Sequence, residues 1–353
     1  MGMPSVNVSF TEKAVQAITR GERGIVALIL KDTVPDTNPF TVLSITDIPS
    51  GLSEANKKQI ELSLIGYQNA PKKVICYILD TEATEYTEAL NYFEIERFDY
   101  LAVPTVSTDG KTATVASWVK SMRDNGKKCK AVLPNTAADS EGIINFATAS
   151  IITEDAEYNT EEYCARIAGL IAGTPLTIAC TYAPLPEVTD CDRLTKAQMD
   201  TAVDTGKFFI FYDGEKVKVA RGVNSFVTTT SDKGNQFKKI KIVEAMDMIY
   251  DDIVKTAQDS YLGKFSNSYD NKCLLISAIG GYFEQLILDG ILSNATVEID
   301  VPTQRNYLKS SGVPTDDMTD YQVKIYDTDD KVFLKASITI LDAIEEIVLP
   351  INI

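Results

Sequence analysis

Val74-Ile75-Cys76-Tyr77-Ile78-Leu79 is a six-residue run with no polar position on either face. A strand exposed on one side alternates apolar and polar residues, so a run apolar on both faces predicts a strand buried in the middle layer of a domain. Gly24-Ile25-Val26-Ala27-Leu28-Ile29-Leu30 upstream has the same texture. Between these two strands Ser53 offers an N-cap, and Ile60, Leu64 and Tyr67 recur at helical spacing. Downstream the alternation continues. A helix is expected over Glu85 to Glu94, a strand at Tyr100-Leu101-Ala102-Val103, a helix from Ala113 to Met122 and a strand at Ala131-Val132-Leu133. Strands alternating with helices predict a parallel sheet flanked by helices, an α/β domain.

Further along, Thr160 precedes Glu161 and Glu162, acids suited to a helix's first turn. Thr195-Lys196-Ala197-Gln198 has capping-box spacing. Phe208 to Tyr212 predicts a strand that turns at Asp213-Gly214 into Lys216-Val217-Lys218-Val219. From about Asn235 longer helices are expected. One carries Ile242, Met246, Ile249 and Ile253, and a second carries Leu275, Ile279, Tyr282 and Leu286. Strands at Ala295 to Val301, Tyr321 to Tyr326 and Val332 to Ile340 complete an α+β C-terminal domain. The resulting division is an N-terminal arm (1–20), an α/β core region (21–234), an α+β domain (235–342) and a C-terminal strand arm (343–353).

Composition narrows the chemistry. The chain has 353 residues, 44% hydrophobic and 24% charged, which suits folded domains rather than long disorder. Its net charge of −16 disfavours nucleic acid and anionic membrane as partners. No apolar run is long enough to span a bilayer, and MGMPSVNVSF does not read as a secretory signal. Cys76, Cys129, Cys164, Cys180, Cys191 and Cys273 form no C-x-x-C pair and read as buried, reduced thiols, in keeping with folding in a reducing cytoplasm.

The chain contains no histidine. That excludes Ser-His-Asp and Cys-His nucleophile activation and most zinc sites. Thr205-Gly206-Lys207 lacks the earlier glycine of a phosphate-binding loop, and Gly280-Gly281 lies in a helical pattern. No catalytic, cofactor-binding or metal residue is assigned, and no cofactor is expected. Asp327-Thr328-Asp329-Asp330 reads as a turn, Asp316-Asp317 as a loop and Asp251-Asp252 as an exposed helix face. None has the calcium-loop pattern. Lys238, Lys239 and Lys241 form the clearest basic cluster of an acidic chain, at a helix N-terminus. It reads either as a solvated face or as a patch for an acidic partner surface.

The two ends alternate with period two: Val6, Val8 and Phe10 with Ser5, Asn7 and Ser9 at the start, and Ile347, Leu349, Ile351 and Ile353 with Val348, Pro350 and Asn352 at the finish. Pro350 restricts the second strand to an edge. Such strands could close sheets of their own molecule, or extend the sheets of neighbours through backbone hydrogen bonds.

Arg221-Gly222-Val223-Asn224-Ser225-Phe226, then Phe237-Lys238-Lys239-Ile240-Lys241, then Tyr261-Leu262-Gly263-Lys264, followed by two helices ending at Asp289-Gly290-Ile291-Leu292, resemble the C-terminal half of contractile phage tail sheath proteins. The resemblance implies a subtilisin-like α/β core without protease activity and a helical homopolymer around a tail tube. It also implies baseplate and tail terminator partners, and terminal arms that join neighbouring subunits at Ser5–Phe10 and Glu346–Ile353. The tail or bacteriocin particle would assemble in the cytoplasm and leave by lysis. Another self-assembling protein, such as a surface-array or tube subunit, and a carboxylate-dependent α/β enzyme are the alternatives.

Overall fold

The computed structural model describes residues 17–352. Among the described residues the chain divides into two compact units, one made of Gly21–Met248 with residues 342–352, the other of residues 17–20 with residues 249–341.

The first half of the larger unit runs β1 (Ile25–Lys31), β2 (Phe40–Val42), α1 (Glu54–Leu64), β3 (Lys73–Leu79), α2 (Thr87–Ile95), β4 (Tyr100–Ala102), α3 (Thr112–Asp124), β5 (Lys130–Pro134) and β6 (Ile143–Phe146). It continues through β7 (Ile151–Thr153), β8 (Glu157–Tyr158), α4 (Cys164–Ala172), β9 (Val188–Cys191), α5 (Lys196–Asp204), β10 (Lys207–Phe208), β11 (Ile210–Tyr212) and β12 (Val217–Val219). Seven strands form one sheet in the order β10-β6-β5-β4-β1-β3-β2. All neighbours are parallel except the edge strand β2, which is antiparallel to β3.

The doubly apolar runs now have their cause. In β1, Val26, Leu28 and Leu30 face a core shared with α1 and α4, while Ile25, Ala27 and Ile29 face a second core containing Phe93 of α2 and Val115 and Val119 of α3. In β3, Cys76 joins the first core and Ile75 the second. Helices cover both faces of the sheet, so β1 and β3 read as nearly unbroken apolar runs, and a polar exception such as Lys130 of β5 is buried against carboxylates. Where α4 crosses α1 the backbones nearly touch: a Cβ on Gly169 would lie 1.9 Å from the Ser63 carbonyl oxygen.

The expected strand Phe208–Tyr212 breaks at Phe209. Its first part joins the large sheet as β10, and its second pairs with β12 as a hairpin, Ile210 opposite Val219. Glu161 and Glu162 do not lie inside a helix, because α4 begins at Cys164.

α6 (Ile240–Thr256) is buried nearly all round from Lys241 to Ile249, apart from the half-buried Met246, so its core side is wider than the expected stripe. Glu244 and Asp247 lie on that buried surface among charges from the sheet. Asp247 accepts two hydrogen bonds from the Arg123 guanidinium (2.9 and 3.0 Å) and one from Lys130 (2.8 Å). Glu244 accepts from the Tyr100 hydroxyl (2.6 Å) and from Lys130 (2.8 Å), and pairs with Arg23. Burial pushes the Asp247 carboxyl up, but Lys130 and Arg123 outweigh it and hold the group below the usual aspartate range.

In the smaller unit α6 ends in a π turn over Ala257–Tyr261. Then follow α7 (Tyr269–Leu288), β13 (Leu292–Ile299), α8 (Val301–Ser310), α9 (Asp320–Ile325) and β14 (Leu334–Ile340). β13 and β14 pair antiparallel, Val297 opposite Ala336, and α7 packs on β13. Three sequence expectations change here. The strand expected over Tyr321–Tyr326 is helix α9, whose N-terminus is fixed by a reciprocal Thr319–Gln322 capping box and whose Val323 is fully buried. The strand expected to reach Val301 stops at Ile299, because Asp300 caps α8 by accepting from the Thr303 amide (3.0 Å). Asp252 is not on an exposed face: it is 1% exposed and accepts a 2.7 Å hydrogen bond from the Tyr282 hydroxyl.

Candidate assembly site

An open parallel sheet normally holds ligands at the carboxyl ends of its strands, where the strand order reverses. Here β1 leads first to β3 on one side and then to β4 on the other, so that crevice lies beside Lys31 and the segment after β4. The chain fills it with its own turn. Asp109 pairs with Lys31 (2.8 Å) and accepts from Thr105 (2.9 Å) and from the Tyr86 hydroxyl. Glu161 accepts from the Ser107 and Thr108 amides (2.7 and 3.1 Å) and from the Thr108 hydroxyl. At the end of β1, Asp32 accepts from the Ser53 amide and from Asn56 Nδ2, both at 2.8 Å. Burial opposes ionisation of Asp32, yet the bonds from Asn56 and Ser53 hold its carboxyl at about 2. Each of these groups stitches loop to scaffold.

Among the described residues, no three His, Cys, Asp or Glu side chains are grouped to hold a metal ion. None of the described helices is long and apolar enough to cross a membrane. Asp327–Asp330 is a turn around the buried Thr328, whose hydroxyl accepts from Lys272 (2.9 Å) and Asn267 (3.0 Å) and donates to the Lys331 carbonyl (2.5 Å). Cys76, Cys129, Cys164, Cys180 and Cys191 are buried free thiols, and Cys273 is half-buried.

The C-terminal segment is different. Asp342–Asn352 pairs with no strand of the described chain. Its first residues are nevertheless held. Glu345, with a side chain 9% exposed, accepts from Arg221 Nε and Nη2 (3.0 and 2.8 Å) and from the Thr181 hydroxyl (2.5 Å). Lys239 pairs with Asp342 and stands 3.8 Å from Glu345. Beyond this root Ile347 is 82% exposed, Leu349 73% and Ile351 76%. Val348 is 93% exposed as well, so aliphatic side chains stand in water all along this short segment.

The root is built by two of the segments that carried the sheath resemblance. Arg221–Phe226 and Phe237–Lys241 lie side by side. Asn224 N donates to the Lys238 carbonyl (3.0 Å), Ile240 N to the Gly222 carbonyl (3.0 Å), and Asn224 Nδ2 to the Phe237 carbonyl (2.7 Å). Gly222 is required by space: a Cβ there would lie 2.9 Å from Cys180 Sγ. This pairing sets Arg221 and Lys239 against the acidic root.

The basic cluster is therefore not one patch. Lys241 is 7% exposed, and burial pulls its ammonium below the usual lysine range. Lys239 serves the C-terminal root, and Lys238 sits half-exposed before α6. Ser5, Val6, Val8, Phe10 and Ile353 lie outside the described residues. Sequence reasoning missed the root residues Thr181, Arg221 and Glu345 as a group. Glu345-Glu346 directly before an aliphatic run was the available signal.

Comparison with known proteins agrees in sequence and in fold. Residues 81–225 match the phage tail sheath protein central domain, and residues 232–353 match the phage tail sheath C-terminal domain. A tail sheath protein of Clostridium phage phiCD119 is 38% identical over 353 residues, covering 98% of each chain. The crystal structure of the sheath tail protein from Desulfitobacterium hafniense superposes with a TM-score of 0.71 at 20% identity, covering 84% of this chain and 94% of that one. The helical sheath of the anti-feeding prophage in its contracted state superposes with a TM-score of 0.74 at 16% identity, over 100% of this chain and 99% of the other. The chain belongs to the phage tail sheath protein family.

Proposed function

We propose that this chain is the repeating subunit of a contractile tail sheath that polymerises helically around a tail tube and drives it through a target envelope on contraction. In this reading the parallel-sheet unit is the family's subtilisin-like core, kept as scaffold and without catalysis. The filled crevice at the strand ends supports that part. Baseplate and tail terminator proteins bound the polymer, and Lys238 contacts the tube or a neighbouring subunit.

The observation that carries the proposal is the rooted, uncovered C-terminal segment. Ile347, Leu349 and Ile351, with Ile353, form the C-terminal arm, and Ser5, Val6, Val8 and Phe10 its N-terminal counterpart. Covering an aliphatic side chain is worth roughly 1.5–3 kcal/mol, and each added backbone hydrogen bond about 1 kcal/mol. Ordering the arm costs about 1–2 kcal/mol per residue, so a single joint is weak and the lattice gains by repetition. Electron microscopy of the full chain with its tube should show striated cylinders. A chain ending at Glu346 should melt as before and form none. Cylinders from the shortened chain would overturn the arm's role, and uniform small particles from the full chain would overturn the sheath reading.

A further inference from the structure

α6 begins with charges that a helix start disfavours. The free N–H groups of a first turn form a positive pole, which favours acids and opposes cations. The first turn of α6 contains no acid, and Lys238, Lys239 and Lys241 stand at that pole. Lys239 takes the cap position, its carbonyl accepting from the Val243 amide (3.1 Å). A lysine side chain has no acceptor to offer the free amides beside it. The missing acids come from the far end of the chain. Asp342 pairs with Lys239, and Glu345 stands 3.8 Å from the same ammonium. Asp342 also opposes the pull of burial on the Lys241 ammonium.

The next turn of α6 faces the other chain end. Glu244, four residues after Ile240, pairs with Arg23, which lies in the stretch that enters β1. Glu244 also accepts from Tyr100 (2.6 Å) and Lys130 (2.8 Å), so its carboxylate is fixed on the sheet side. Ile240, Lys241 and Glu244 share the walls of one small cavity with Cys180, the neighbour of the root residue Thr181. Two consecutive turns of one helix thus hold the C-terminal root and Arg23.

We propose that the C-terminal root is the acidic cap of α6, and that the opening turns of this helix couple the root to Arg23, so that release of either one loosens the other. The element with two arrangements is the first turn itself, formed or frayed. When Asp342 and Glu345 leave, three cations remain at the positive pole and the turn frays. Glu244 then loses the position that faces Arg23. Coupling between two sites is reciprocal, so freeing Arg23 weakens the root through the same turn. In a lattice, displacement of one arm would be felt at the other within a single subunit. That use rests on the function proposed above; the coupling itself does not.

The test uses the free, full-length subunit and the variant Asp342→Asn/Glu345→Gln, which keeps the shape of the root and removes its charge. Two acids at a helix start together shift a local equilibrium about tenfold. Hydrogen exchange of the Ile240 and Val243 amides should accelerate by about that factor. Trypsin cleavage after Arg23, which requires the guanidinium to leave Glu244, should accelerate several-fold when followed by mass. In the reverse direction Arg23→Gln should speed thermolysin cleavage before Ile344. Glu154→Gln/Asp155→Asn removes two exposed carboxylates from the turn between β7 and β8 and should change none of these rates. Exchange at Ile240 and Val243 altered less than twofold would overturn the cap. Faster exchange with unchanged cleavage after Arg23, or Arg23→Gln without effect at Ile344, would overturn the coupling. Each measurement is made on the monomer, so failure of the chain to build cylinders would sink the sheath reading and leave these results standing.

Discussion

Replacing Glu345 by alanine should free the C-terminal root and leave the rest of the subunit folded. The side chain makes two charge-assisted contacts with Arg221, at 3.0 and 2.8 Å, and one with the Thr181 hydroxyl at 2.5 Å. Hydrogen bonds to charged groups contribute about 1.5–3 kcal/mol when enclosed. The Arg221 side chain is 33% exposed, so solvent screening reduces its share. A total of about 2 kcal/mol corresponds to a roughly thirtyfold rise in the open root. The assay is thermolysin cleavage before Ile344, which lies between the anchored carboxylates of Asp342 and Glu345. Cleavage there should accelerate by about that factor, with Glu345→Gln in between, while the urea midpoint of the whole chain stays in place. A rise of less than about twofold would show that the root is not held by this carboxylate. A midpoint that falls with it would show that the root belongs to the global core.

Asp247→Asn leaves Arg123 and Lys130 buried with less counter-charge and should cost about 3–5 kcal/mol at neutral pH by urea unfolding. Because the folded-state value of Asp247 is depressed, its contribution is complete above the unfolded value near pH 4 and disappears as pH falls through the folded one. The variant should therefore lose less stability than the parent on acidification below about pH 4. Gly169→Ala forces α1 and α4 apart and should cost about 1–3 kcal/mol, seen as a lower melting temperature; an unchanged melt would mean the crossing is looser than 1.9 Å implies. Lys238→Glu should weaken assembly on tubes with no change in monomer melting, whereas Lys241→Glu should lower monomer stability, and the reverse pattern would contradict the burial of Lys241.

The strands of the parallel sheet were legible because their two-sided burial leaves an unbroken apolar run, as in Ile25–Leu30 and Val74–Leu79. Signals failed where tertiary partners decide. Tyr321–Tyr326 has strand-like composition, yet a local capping box and the contact from Gln304 Nε2 to the Val323 carbonyl (2.6 Å) favour helix. Asp252 looks solvated until Tyr282 arrives from thirty residues downstream. Glu244 and Asp247, two acids on the apolar side of one helix, were a readable anomaly. Their partners Arg23, Arg123 and Lys130 come from three separate places in the chain and could not be paired by spacing. The same holds for the candidate site. The aliphatic alternation marked the exposed C-terminal segment, but only the fold brings Thr181, Arg221 and Lys239 to its root.

The placement of the thiols has a consequence for a particle built from many copies of one chain. Any surface thiol would be repeated at every lattice position, and air oxidation after release could weld neighbours whose relative movement is the machine's output. Burial pushes the thiols of Cys76, Cys164 and Cys180 well up from their ordinary range, which keeps them protonated and unreactive. Only the half-buried Cys273 stands outside that protection. A maleimide titration of the native chain should thus find one fast site, and unfolding should expose the remainder, giving a chemical clock for loss of structure that needs no added label.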